Sequence, residues 1–206
     1  SGDVAAIKIY NIRNSDQVLA ACSNLSDLPE LRIDKCKTLT PACINALSKF
    51  TNLTIVNLAG TSLPGDSLAK ASCWQKLSQL NFNGGQNVTP FLKKLSTINS
   101  LNHLSLSKTE LTKRDFQLIG KMSNLQYLDI SGDKQDPSAL HWLTSLNLEH
   151  LNLIGWQQND KLIALLKQFK HLKRLTIIGA KKKTAVRSYN LFLTAMKHEL
   201  PQVTVD

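Results

Sequence analysis

A chain of 206 residues has room for one extended or two ordinary domains, and its 42% apolar content is that of a folded globular protein. No run approaches the roughly 18 apolar residues needed to cross a bilayer, so no transmembrane helix is expected. The net charge of +10 favours contact with acidic surfaces, but aromatics make up only 6% and do not interleave with the lysines, which leaves no stacking platform for nucleic acid.

The opening stretch SGDVAAIKIYNIRN has neither the basic start nor the apolar core of a signal peptide, and it lacks Met, so the natural start is expected to lie elsewhere. Cys22, Cys36, Cys43 and Cys73 form no CxxC pair and have no histidine at metal-ligand spacing. Scattered cysteines of this kind suit a reducing, cytoplasmic compartment. Glycosylation sequons at 24–26, 52–54 and 87–89 are short matches, and the first two place their middle Leu at a core position.

Taken in chain order, strand-like segments begin at Val4, Leu28, Leu53, Leu77, Leu101, Leu125, Leu148, Leu172 and Leu200, separated by 24, 25, 24, 24, 24, 23, 24 and 28 residues. Each reads apolar-x-x-apolar-x-apolar, and its last four residues alternate as a half-buried strand does. Between segments the apolar residues recur every three positions. They are Ile44, Leu47 and Phe50; Leu68, Ala71 and Trp74; Leu92, Leu95 and Ile98; Phe116, Ile119 and Met122; and Ile163, Leu166 and Phe169. Each set is one stripe of a short helix. Thr40-Pro41, Thr89-Pro90 and Asp136-Pro137 read as an N-cap followed by a first-turn proline.

Two turns are irregular. The one that begins at Leu125 is a residue short, and its helical set shifts to Leu140, Leu143 and Leu146. The one that begins at Leu172 is longer, with GAKKKTAVRSYN (179–190) inserted ahead of its helix. One unit cannot bury its own apolar face, so the nine must stack into a single domain over 1–206. The strands then form a parallel sheet on the concave side and the wider helices cover the convex side. No capping unit precedes Val4 and the chain stops on its last strand. A piece of a longer protein is therefore expected, or a neighbouring chain that covers an end.

The pattern LxxLxLxxT at 101–109, and its near copy at 53–61 with Val56 in the fourth place, are each followed by an apolar residue two places on (Leu111, Leu63). This resembles the leucine-rich repeat family, over essentially the whole chain. The unit length, and the Leu-Thr that opens the helical half (Leu39-Thr40, Leu111-Thr112), are similar to the 24-residue repeats of F-box-associated proteins and of effectors of intracellular bacteria. The resemblance implies an α/β leucine-rich repeat solenoid, a curved right-handed superhelix. The family's loop position usually holds Asn, Cys or Thr. Here it holds Ile12, Cys36, Thr61, Gly85, Thr109, Asp133, Trp156 and Ala180, so a continuous hydrogen-bonded ladder is not expected.

Strand alternation assigns three columns to the concave face. The first is Ala6, Glu30, Ile55, Gln79, His103, Tyr127, His150 and Arg174; the second is Lys8, Arg32, Asn57, Asn81, Ser105, Asp129, Asn152 and Thr176; the third is Tyr10, Asp34, Ala59, Asn83, Ser107, Ser131, Ile154 and Ile178. The candidate partner-binding residues are His103, Tyr127, Asp129, His150, Asn152, Ile154, Trp156 and Arg174, because Tyr, Trp and Arg are the usual hot-spot types. The alternative is an ordinary solvated sheet. Trp156 either folds over the solenoid edge or contacts a partner, Trp74 is expected in the core, and Trp142, one place off its stripe, is expected partly exposed.

His103 and His150 stand two strands apart with Asp129 between, about 10 Å from backbone to backbone, and no nucleophile sits beside a His with an orienting acid. No enzyme, metal or cofactor is expected. The Gly84-Gly85 pair lacks the lysine and helix placement of a phosphate loop and reads as a turn needing permissive backbone.

The expected function is a protein–protein interaction module that binds a macromolecular partner on the concave face. By resemblance it would be a bacterial effector acting in host cytoplasm, or else the substrate-receptor part of a ubiquitin ligase, for which no F-box segment is present. The competing reading is electrostatic binding of nucleic acid or an anionic membrane through the C-terminal basic cluster. There Lys161, Lys167, Lys170, Lys173 and Arg174 precede a patch of Lys181, Lys182, Lys183 and Arg187.

Overall fold

The computed structural model describes residues 4–132, 136–178 and 183–206, with side chains from Tyr189 onward in the last stretch. Nine strands lie in one parallel sheet in chain order: β1 Ala6–Tyr10, β2 Glu30–Asp34, β3 Ile55–Asn57, β4 Gln79–Asn81, β5 His103–Ser105, β6 Tyr127–Asp129, β7 His150–Asn152, β8 Arg174–Thr176 and β9 Thr204–Val205. Helices return the chain to the start of each next strand. They are α1 Ser15–Ala21, α2 Ile44–Leu47, α3 Gly65–Leu68, α4 Thr89–Leu95, α5 Lys113–Ile119, α6 Asp160–Leu166 and α7 Lys183–Glu199, with 3-10 turns at Pro41–Cys43 and Pro137–Leu143. The result is an open α/β solenoid.

The register follows the sequence period. Ala6, Glu30, Ile55, Gln79, His103, Tyr127, His150 and Arg174 form one row across β1–β8. β9 departs from the period by two residues, since Arg174 pairs with Thr204 rather than with Gln202 and Leu175 pairs with Val205 rather than with Val203. Between this row and the next, Leu31, Val56, Leu80, Leu104, Leu128, Leu151 and Leu175 point the other way and are buried. Each stabilises the stack by about 1.5–3 kcal/mol through area removed from water. The helical stripes meet them from the other side; Leu47, Phe50, Leu68, Trp74, Leu92, Phe116 and Phe169 are all buried in one continuous cluster.

One residue past the open-face columns, the chain turns left-handed in turn after turn. Positive φ occurs at Asn11, Lys35, Gly60, Gly84, Lys108 and Gly155. The bend swings each strand into its loop while the loop N–H still reaches the next turn, as when Gly84 N–H donates to Ser107 O at 2.8 Å and Lys108 N–H to Ser131 O at 2.7 Å. Gly84 therefore has the permissive backbone expected of it. Gly85 is fixed by space instead, because a Cβ there would stand 2.5 Å from the Phe82 ring.

Three expectations change. Thr89 is the first residue of α4 rather than its cap, and its hydroxyl donates to Asp115 Oδ1 at 2.6 Å. The short turn does bury Leu140, Leu143 and Leu146, but through a 3-10 helix, which needs fewer residues per unit length than an α-helix. The insertion after Ile178 is not a loop up to Asn190: α7 already begins at Lys183 and runs 17 residues, in a stretch free of Gly and Pro. Lys181 and Lys182 lie outside the described residues, as do the side chains of Lys183 and Arg187 and the loop positions 133 and 180.

Candidate partner-binding surface

β5, β6 and β7 bring their first open-face residues into one stacked row. The His103 and Tyr127 rings lie parallel, 3° apart, with centroids at 3.8 Å, and His150 meets the other side of Tyr127 edge-on at 6.2 Å. Asn152 Nδ2 donates to the Tyr127 hydroxyl at 2.8 Å, which leaves that hydroxyl's own hydrogen free to donate outward. Tyr127, His103, His150, Asp129 and Asn152 are all part-exposed. The row is thus held on both sides by neighbouring strands and still reachable.

Burial holds the His103 imidazole below its ordinary pKa; the Asp129 carboxylate opposes this and the charge on His150 adds to it. Burial, with Asp129 beside it, pushes the Tyr127 phenol up, against the Asn152 hydrogen bond. Both shifts favour uncharged rings in the stack. Tyr127 also separates the two imidazoles, so they do not converge on one centre. Among the described residues no group of three or more His, Cys, Asp or Glu could hold a metal ion. Burial pushes the thiols of Cys43 and Cys73 up to about 12, and all four cysteines are unpaired.

Ile154, 37% exposed, and Ile178, 54% exposed, border the row just past the ends of β7 and β8. A hollow of about 500 Å³ opens beside them at the strand ends, lined by Ser107, Lys108, Asp129, Ser131, Ile154 and Gly155. Arg174 closes the far end and pairs with Asp206 at 3.7 Å. Trp156 does not join this surface. It is 3% exposed, its indole N–H donates to Ile130 O of the preceding turn at 2.9 Å, and its ring packs edge-on against Phe116. Trp156 therefore leaves the set of partner-binding candidates. Trp74 is in the core and Trp142 is 37% exposed, as their positions imply.

The described part of the C-terminal basic cluster is largely neutralised. Lys161 pairs with Asp136 at 3.4 Å, Lys167 with Glu199 at 2.5 Å and Lys173 with Glu149 at 2.9 Å. These are exposed pairs, worth little to stability, but they lower the positive field that anion binding would use. No helix among the described residues is long and apolar enough to cross a membrane.

Neither a family model nor a curated protein matches the sequence. Solved structures do match. A Listeria monocytogenes internalin (inlF) superposes over 98% of this chain and 60% of its own, with TM-score 0.61 at 15% identity. The chain has the leucine-rich repeat fold. Human 5T4, the Wnt-activated inhibitory factor 1 or trophoblast glycoprotein, matches over 85% of this chain and 66% of its own, with TM-score 0.59 and 16% identity. A chain of the Drosophila Toll–Spatzle complex matches over 82% of this chain and 22% of its own, with TM-score 0.56 and 17% identity. This leucine-rich repeat chain thus spans 60% of the internalin chain and a smaller share of the Toll match.

Within the leucine-rich repeat frame, the loop ladder is broken as expected. Thr61 Oγ1 donates to Leu58 O at 2.9 Å, whereas the buried Thr109 Oγ1 has no partner among the described residues. Sequence reasoning missed the left-handed column, although glycines at 60, 84 and 155 recur at multiples of the repeat period and signal it. It also missed Asp115, a buried carboxylate on α5 that accepts from Thr112 and Thr89, because a polar residue between helical apolar positions reads as solvated.

Proposed function

We propose that this leucine-rich repeat chain is a protein-recognition module whose partner docks on the open sheet face over β5–β8. The observation that carries the reading is the His103–Tyr127–His150 stack. It offers a large amphipathic ring with one free hydroxyl hydrogen, pre-ordered by its neighbours, so binding costs little side-chain entropy. Asp129 and Asn152 supply polar contacts beside it, Ile154 an apolar border, and Arg174 a cation at the margin. Tyr127 lies between the two imidazoles, and among the described residues neither imidazole hydrogen-bonds to a Ser, Thr or Cys.

The finer reading is a bacterial effector that acts in host cytoplasm. The 24-residue unit supports it, as do four unpaired cysteines that suit a reducing compartment. A ubiquitin-ligase substrate receptor would share the surface.

Affinity capture with quantified partners tests the surface. Tyr127→Ala should weaken a specific partner by about tenfold or more, the loss expected of a central aromatic anchor. Trp142→Ala, on the helical side, should leave it unchanged. Retention of the partner by both Tyr127→Ala and His150→Ala would sink the proposal.

A further inference from the structure

We infer that the floor formed by β3–β5 is a hydrogen-bond donor row for an acidic, extended segment of the protein partner, an inference that rests on the recognition surface proposed above. Asn57, Asn81 and Asn83 lie side by side there, all part-exposed. Their carboxamide oxygens are already used. Asn57 Oδ1 accepts the Ala59 N–H at 2.9 Å, and Asn81 Oδ1 the Asn83 N–H at 3.2 Å. Asn83 Oδ1 accepts both the Ser107 N–H at 2.7 Å and the Ser105 hydroxyl at 2.8 Å. A backbone N–H can only meet the oxygen end of an amide, so the orientation of each side chain is decided by its neighbour. The Nδ2 ends turn away from those N–H groups, and none of them meets an acceptor among the described residues. Three amides with two N–H bonds each offer up to six donors, against one spare lone pair each on the Asn57 and Asn81 oxygens.

The surrounding charges favour the same ligand. The window of Ile55, Asn57, Ala59, Gln79, Asn81 and Asn83 holds no charged side chain. Charge returns on β2, where Glu30 is bound to Arg32 beside Asp34, and on β6, where Asp129 Oδ1 accepts the Ser131 N–H at 3.0 Å. A carboxylate arriving over β3–β4 meets donors first. Ionised acceptors make the stronger bonds to such donors, and a molecule of net charge +10 attracts acidic segments from a distance. Asn57 and Asn81 face each other on adjacent strands about 4.8 Å apart, and Asn83 stands two residues further along the second, so the three amides spread over a span that an extended segment of about three residues covers.

The test uses fluorescent synthetic peptides alternating Glu with Ser, and the same peptides with Gln for Glu. The wild-type chain should bind the Glu peptide more tightly. A triple variant, Asn57→Asp with Asn81→Asp and Asn83→Asp, keeps an oxygen for each backbone N–H and so keeps the fold, which its melting curve checks. It should lose about tenfold or more in Glu-peptide affinity. A second triple variant, Lys49→Gln with Lys93→Gln and Lys121→Gln, removes as much positive charge from exposed helical-side positions and should lose far less. Equal binding of the two peptides by wild type, no binding of either, or equal losses in the two variants overturns the inference. The wider reading fails separately. A captured partner lost by Tyr127→Ala but kept by the Asp variant sinks the donor row alone, whereas a partner kept by both sinks the recognition surface as well.

Discussion

Trp156 stands where a leucine-rich repeat ordinarily places a small hydrogen-bonding side chain, and its indole N–H performs that role by reaching back to Ile130 O. The position was visible in the sequence, but the direction of the ring was not, because it depends on the space beside Phe116, two turns earlier in the chain. His103 illustrates a similar dependence. Its imidazole is pressed against Tyr127 and kept below its ordinary pKa mainly by burial. A base whose folded pKa is depressed takes up its proton more readily when unfolded. The native state therefore loses stability as pH falls through the ordinary imidazole range toward the depressed value. Urea midpoints measured from neutral pH to below that range should fall more steeply for wild type than for His103→Gln. Parallel profiles would show that the stack carries no such proton linkage.

The helices are short, and several are anchored by side chains of adjoining turns rather than by their own propensity. α5 is the clearest case. Thr112 accepts the Asp115 N–H, Asp115 accepts the Thr112 N–H at 2.8 Å, and the same carboxylate takes the Thr89 hydroxyl from the turn before. Removing this carboxylate strips a cap and leaves buried donors unmatched. Asp115→Ala should thus cost about 2 kcal/mol or more by chemical denaturation, and Thr112→Ser, which keeps the cap, should cost far less. The sequence marked Leu111-Thr112 as the start of a helical half. It did not mark Asp115, because the bond from Thr89 crosses 26 residues of chain. Gly120 shows the same cross-turn constraint, since a Cβ there would stand 2.2 Å from Trp142 O.

At the scale of the molecule, each turn pairs its strand only with those of adjacent turns, so stability is largely a sum of nearest-neighbour terms. β1 and β9 each have one strand partner in this chain and β4–β6 have two. Native-state hydrogen exchange should accordingly find the amides of β4–β6 most protected and those of β1 and β9 least. Uniform protection across all nine strands would mean the 206-residue chain opens as one unit.

The sequence by itself determined the repeat, the parallel order of the strands and the three open-face columns. A near-constant spacing converts position along the chain into position across the sheet, and strand alternation assigns each residue to a face. Only the tertiary structure decided what the columns present. That Tyr127 is stacked between two histidines, that Trp156 points inward, and that the amides of Asn57, Asn81 and Asn83 show their donor ends are all outcomes of contacts within and between turns. Such contacts choose among rotamers, and an apolar-polar pattern contains no information about rotamers.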